Sequence, residues 1–191
     1  VAREHDLFLI ADSAQGFGTR LEGQTPLHWA DVQTTSFFPA KPLGAYGDGG
    51  AVLTDDETLR DAIDSLRIHG KGEDKYDNVH VGINSRLDSL QAAILLEKLK
   101  IFADEIKRRN VIADRYIAAL QSNSITAPFV PDNVVSTWAQ FTIEVDDPTA
   151  FAAKLREDGV PTARYYPRPI HKQTAYEVYA QFGPDLPHTE A

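Results

Sequence analysis

The chain has 191 residues, enough to bury one good core or two small ones. Hydrophobic residues make up 42% and charged ones 25%, an ordinary globular balance, and a net charge of −9 argues against a general nucleic-acid or membrane-surface role. Cysteine is absent, which removes disulfides and thiol catalysis, and no apolar stretch has the length of a membrane-spanning helix.

Val1 to His5 read as the tail of a helix. Leu7-Phe8-Leu9-Ile10 then forms a short continuous apolar run, the pattern of a buried parallel strand. Its carboxyl end delivers Asp12 and Gln15, and open α/β sheets place their ligands at such ends. An aspartate there also has a bland use, capping the turn that follows. A second strand is predicted over Asp31 to Phe38 and a third over Gly49 to Leu53, on their β-forming residues.

Between them lies Ser36-Phe37-Phe38-Pro39-Ala40-Lys41-Pro42-Leu43-Gly44. A lysine held between prolines and beside two phenylalanines is a poor surface charge. Burial disfavours its ammonium form, as a Schiff-base lysine requires. Taken alone, the segment equally suits a surface turn whose lysine reaches out of an apolar bed. The pairing decides: an Asp-tipped strand about thirty residues before such a lysine is the arrangement pyridoxal phosphate chemistry uses. The acid keeps the pyridine nitrogen protonated so that the ring can act as an electron sink, and the lysine holds the aldehyde.

Thr54 and Glu57 form an expected capping box for a helix with the stripe Leu59, Ile63 and Leu66, closed by Gly70. Residues 71–81, with Lys71, Gly72, Asp74, Lys75 and Asp77, read as a long polar loop. Ser85 and Asp88 are expected to cap the longest helix, about thirty-five residues with a recurring Leu95, Leu99, Phe102, Ile106, Ala113, Ile117, Leu120 stripe. Its Leu90–Leu96 end is apolar on most sides and is expected to be buried. A strand is predicted over Trp138 to Val145. Asp147 with Pro148 then opens a helix ending at Gly159, and a short strand over Thr162 to Tyr166 follows.

Four segments come in one order and at one spacing: Asp12-Ser13-Ala14-Gln15, Ser36 to Lys41, Gly47-Asp48-Gly49-Gly50, and Gly82 to Ala93. Together they resemble the DegT/DnrJ/EryC1/StrS family, the pyridoxal-phosphate-dependent sugar aminotransferases. The wording around Lys41 is closest to the UDP-linked 3-oxo-N-acetylglucosaminuronate type of 3-aminotransferase. The resemblance implies the α/β fold type I architecture, with residues 1–105 belonging to the large cofactor-binding domain and 106–191 to a small α+β domain. It also implies a fragment, lacking the N-terminal part of the large domain and the extreme C-terminus, and on its own inactive.

The same resemblance assigns roles. Lys41 and Asp12 are catalytic, and Asp12, Gln15, Ser36, Lys41 and Asn84 bind pyridoxal 5'-phosphate, with Asn84 crossing to the neighbouring subunit of a homodimer whose active sites are shared. Arg86 matches a position that meets a substrate carboxylate, and Tyr165, Tyr166 and His171 lie where relatives line the sugar pocket. Some relatives show His-Tyr-Pro where this chain has Tyr165-Tyr166-Pro167. Without the resemblance, Asn84 and Ser85 would pass as ordinary helix caps and Arg86 as a surface charge. His69 reads as a helix-end residue, and no metal is expected.

The expected activity is transfer of an amino group from glutamate to a nucleotide-linked 3-keto sugar in the cytoplasm, for surface polysaccharide or glycoconjugate synthesis. A non-catalytic scaffold or sensor of this fold is the alternative from another class. A dehydratase relative is a third, and Lys41 argues against it because those relatives carry histidine there.

Overall fold

The computed structural model describes residues 1–74, 76–120, 125–180, 183 and 186–190. Lys75, named above, lies outside them. The chain divides into two compact units, Val1–Ile143 and Glu144–Ala191.

In the first unit, β1 (Ile10–Asp12) and β2 (Arg20–Leu21) are short, and β3 (Val32–Ser36) and β4 (Gly50–Leu53) stand where strands were predicted. β1, β3 and β4 form a mixed sheet in that order. β1 runs parallel to β3 with Asp12 opposite Thr34, and β4 runs antiparallel to β3 with Gly50 opposite Ser36. The apolar run into β1 is not buried in this chain: Leu7 is 59% and Phe8 57% exposed. β1 is an edge strand, with β3 its one neighbour among the described residues.

Helix α1 (Glu57–Leu66) follows β4. Its cap is Asp56, whose carboxylate accepts from the N–H groups of Thr58 and Leu59, rather than Thr54 with Glu57. Thr54 is engaged elsewhere, since its hydroxyl donates to Asp31 O and ties β4 to the start of β3. After α1 the chain turns at His69 and Gly70, both at positive φ, into a hairpin-like segment. A Cβ on Gly70 would overlap the backbone of His80, so only glycine allows this approach.

Helix α2 (Ser89–Leu120) has 32 residues. It begins with Ala92 N–H donating to Asp88 O, which places Ser85 outside the helix, in an extended stretch bridged to Ile68. Leu95 and Phe102 of α2 pack with Phe37, Leu43 and Ala45 in the core, with Phe17, Ala51, Leu87 and Ile106 against them. The rings of Phe17 and Phe102 stack at 5.7 Å. The N-terminal end of α2 is one-sided rather than buried all round, with Leu90 80% and Leu96 62% exposed.

The strand predicted over Trp138 to Val145 does not form. Val134–Val135 (β5) pairs antiparallel with β2 instead. Residues 136–138 are tied to α2, and Trp138 stands at positive φ, which breaks an extended run. In the second unit α3 (Pro148–Glu157) has the predicted cap: Asp147 accepts from Thr149 and Ala150 N–H, and Gly159 at positive φ follows the helix. Thr162 to Tyr166 forms no strand, and Tyr166 is again at positive φ. Two short helices, α4 (Glu177–Ala180) and α5 (Pro187–Glu190), complete the unit.

Candidate active site

The parallel pairing of β1 with β3 puts their carboxyl ends side by side. Asp12 ends β1 and Ser36 ends β3, so both stand at one edge of the sheet, and Lys41 lies in the turn that leaves it. The Asp12 tip is built by local and distant hydrogen bonds. Asp12 Oδ1 accepts from Ala14 N–H at 3.0 Å, which is the turn-capping use of an aspartate. The residue as a whole is solvent-accessible. Ser13, buried, donates its N–H to Thr34 O, and its carbonyl accepts from the Thr35 hydroxyl. Gln15 is held by its backbone: its carbonyl accepts from the hydroxyl of Thr137, a fully buried residue 122 positions away. The side chain of Gln15 is left exposed.

The Lys41 loop is shaped by its apolar neighbours. Phe37, Pro42, Leu43 and Ala45 are buried, whereas Phe38 turns outward and Lys41 itself is half-buried. Lys41 N–H donates to Phe38 O, Ala45 N–H returns to Phe37 O, and Phe37 N–H reaches Gly49 O. A side chain on Gly44 would overlap Pro39 O, so the turn closes only with glycine there. Ser36 Oγ accepts from Phe38 N–H at 3.2 Å, and as a hydroxyl it still has a proton to donate. One acid and one hydroxyl thus end adjacent strands, and one amine is carried on the turn that follows. This is a fitting donor set for pyridoxal phosphate, which asks for an anion beside a ring nitrogen, a donor for a phosphate and an amine for an aldehyde.

Asn84 and Arg86 do not stand at a helix start. They precede the first residue of α2 by five and three positions, beyond the first turn over which a helix dipole acts. Both are exposed, and Arg86 Nε donates to Asn84 Oδ1 at 3.1 Å. Tyr165, Tyr166 and His171 belong to the second unit. The two tyrosine rings lie 6.4 Å apart, and His171 Nε2 is 2.9 Å from Glu190 Oε1. Lys172 also reaches that carboxylate, and these partners, His171 first, hold the Glu190 carboxyl below its ordinary value.

The site contains two residues for which the sequence suggested no role. Gln91 Oε1 accepts from Tyr46 N–H at 2.8 Å, and the Lys98 ammonium donates to Gly44 O. Their seven-residue spacing on a helix was the available signal, but a loop with which to pair them is not visible in one dimension.

The model of the DegT/DnrJ/EryC1/StrS aminotransferase family matches residues 1–191. This chain belongs to that family. Among its relatives is the UDP-2-acetamido-2-deoxy-3-oxo-D-glucuronate aminotransferase of Pseudomonas aeruginosa, 45% identical over 175 residues, covering 92% of this chain and 48% of that protein. A DegT/DnrJ/EryC1/StrS aminotransferase from Brucella abortus superposes with a TM-score of 0.88 at 47% identity, over 92% of this chain and 47% of that one. A Bacillus subtilis protein solved with the bound cofactor PMP superposes at 0.85 and 37% identity, over 99% of this chain and 44% of that one. The chain therefore spans about half the length of the relatives it matches. The mixed sheet and its flanking helices are part of the α/β fold of these pyridoxal-phosphate-dependent transferases. Among the described residues, no helix is long and apolar enough to cross a membrane.

Proposed function

We propose that the full-length protein transfers an amino group from glutamate to a nucleotide-linked 3-keto sugar, a UDP-linked 3-oxo-N-acetylglucosaminuronate being the first choice. The observation that carries this is the placement of Asp12, Ser36 and Lys41 at neighbouring carboxyl ends of β1 and β3. The sugar rests on the Pseudomonas aeruginosa relative and on the wording around Lys41.

Bound pyridoxal phosphate supplies an electron sink for the bond broken at the donor's Cα. The chain's own residues do the rest. The Asp12 carboxylate provides a negative charge that keeps a ring nitrogen protonated, and the Ser36 hydroxyl donates to a phosphate oxygen. Gln15, at the same strand tip, would hold the ring's phenolic oxygen. Lys41 holds the aldehyde at rest and, once free, moves the proton that leaves the donor's Cα, as base and then acid. Arg86 meets a substrate carboxylate, and Tyr165, Tyr166 and His171 line the sugar pocket. Asn84 reaches the phosphate of a second copy, so the active protein is a homodimer with shared sites, and an active monomer in sedimentation would refute this. Residues 1–105 complete the large domain and 106–191 belong to the small one. The enzyme works in the cytoplasm, where nucleotide sugars are made.

The test is amino transfer itself. With glutamate and the UDP-linked 3-keto uronate, the full-length protein should release 2-oxoglutarate in step with aminated sugar. A protein that binds the sugar nucleotide without releasing 2-oxoglutarate would instead support the scaffold or sensor alternative.

A further inference from the structure

The residues 39–46 that carry Lys41 are tied to α2 by two polar side chains and two apolar ones. Gln91, Leu95, Lys98 and Phe102 follow one another at steps of four, three and four, so they form one stripe on the helix. Leu95 and Phe102 lie in the core beside Leu43 and Ala45. Between and before them, Gln91 Oε1 accepts from Tyr46 N–H and the Lys98 ammonium donates to Gly44 O. The ammonium also lies 5.8 Å from the centre of the Tyr46 ring, within range of an attraction to its face.

Leu43, Gly44 and Ala45 are buried, so the Gly44 carbonyl sits where water cannot readily serve it, whereas Tyr46 and its N–H bond to Gln91 are exposed. A buried backbone carbonyl needs a partner, and here Lys98 of α2 provides it. Lys98 is itself half-buried, and among the described residues no carboxylate forms an ion pair with it. A cation in that setting is costly unless its donors are used, and a backbone carbonyl and an aromatic face are what it uses.

We propose that Lys98, with Gln91, is a positioning residue: it fixes the carboxyl-terminal limb of the Lys41 loop to α2 and so sets where the Lys41 amine stands relative to the β1 tip. The amino-terminal limb is already fixed, because Phe37 N–H bonds to Gly49 O and Phe37 is in the core. With both limbs anchored, Lys41 has a defined place; with Lys98 cut back, the limb from Gly44 to Tyr46 loses a charged donor. The inference rests on the proposed role of Lys41 as the residue that holds pyridoxal phosphate.

The experiment uses the full-length protein, pyridoxal phosphate and borohydride, and reads by peptide mass how fast the cofactor becomes covalently fixed to Lys41. Lys98→Ala should slow fixation about tenfold, while Lys98→Arg, which keeps charge and reach, should restore it to within about twofold. Lys100→Ala, which removes an exposed lysine paired with Glu97, should leave the rate unchanged. Circular dichroism checks that each variant is folded. If Lys98→Ala does not fold, Gln91→Ala against Gln91→Glu makes the same comparison, because glutamate keeps the acceptor for Tyr46 N–H. Wild-type rates in Lys98→Ala, or an arginine variant no better than alanine, would overturn the proposal while leaving Lys41 in its role. No fixation at Lys41 in the wild type would instead remove the cofactor role of Lys41, and this inference with it.

Discussion

Arg86 spends its Nε–H on the neutral amide oxygen of Asn84, and no ion pair involves it among the described residues. Its two terminal amino groups are thus left for a carboxylate, which a guanidinium fork grips with two parallel bonds. Both glutamate and a uronic acid carry one. If the sugar carboxylate is the partner, Arg86→Ala should cost about 1.5–3 kcal/mol in kcat/KM with the uronate, the usual worth of hydrogen bonds to a charged group. With a neutral dTDP-linked 3-keto-6-deoxyhexose the loss should be small. Equal losses on the two sugars would hand Arg86 to the amino donor or to structure.

At the scale of elements, the β1 tip is held by hydroxyl groups on other segments. Thr35 of β3 and Thr137, just past β5, donate to the carbonyls of Ser13 and Gln15. Thr137→Val keeps the shape and removes the donor, which should lower stability by roughly 1 kcal/mol. It should also weaken pyridoxal phosphate binding, read as a higher Kd by fluorescence; an unchanged Kd would detach Thr137 from the tip's function. None of this was visible in the sequence, because Gln15 and Thr137 are 122 residues apart. What was legible is what depends on short range: β3, β4, the Asp147 cap of α3 and the length of α2. Trp138–Val145 failed because alternation suggests an extended chain but does not supply a pairing partner. Ser85 failed as a cap because the residues around it were already paired with Ile68 and Arg67.

The second unit holds one element by charge. Glu190 in α5 meets His171 and Lys172, and its carboxyl is depressed by them. A carboxyl lowered in the folded state stabilises the fold above its unfolded value, and that contribution is lost as pH falls through the folded one. Protection factors of the hydrogen-bonded amides of Lys172, Thr189 and Glu190, corrected for the intrinsic pH dependence of exchange, should therefore fall below the ordinary carboxylate value of 4.5, and Glu190→Gln should show the lower protection already at pH 7. Protection factors that stay the same from pH 7 to 3 would mean the contact carries no stability, as with many exposed ion pairs.

For the whole molecule, the chemistry is split between units. The acid, hydroxyl and amine lie in Val1–Ile143, and the candidate sugar-pocket residues Tyr165, Tyr166 and His171 lie in Glu144–Ala191. In the proposed reading the first set holds the cofactor and the second contacts the sugar. Everything proposed about amino transfer passes through Lys41. The most direct measurement is therefore borohydride reduction of the full-length protein with pyridoxal phosphate, followed by peptide mapping. The account predicts a single fixed cofactor per chain, on the peptide containing Lys41, and none in Lys41→Ala. A cofactor fixed to another lysine, or an undiminished level in Lys41→Ala, would contradict it.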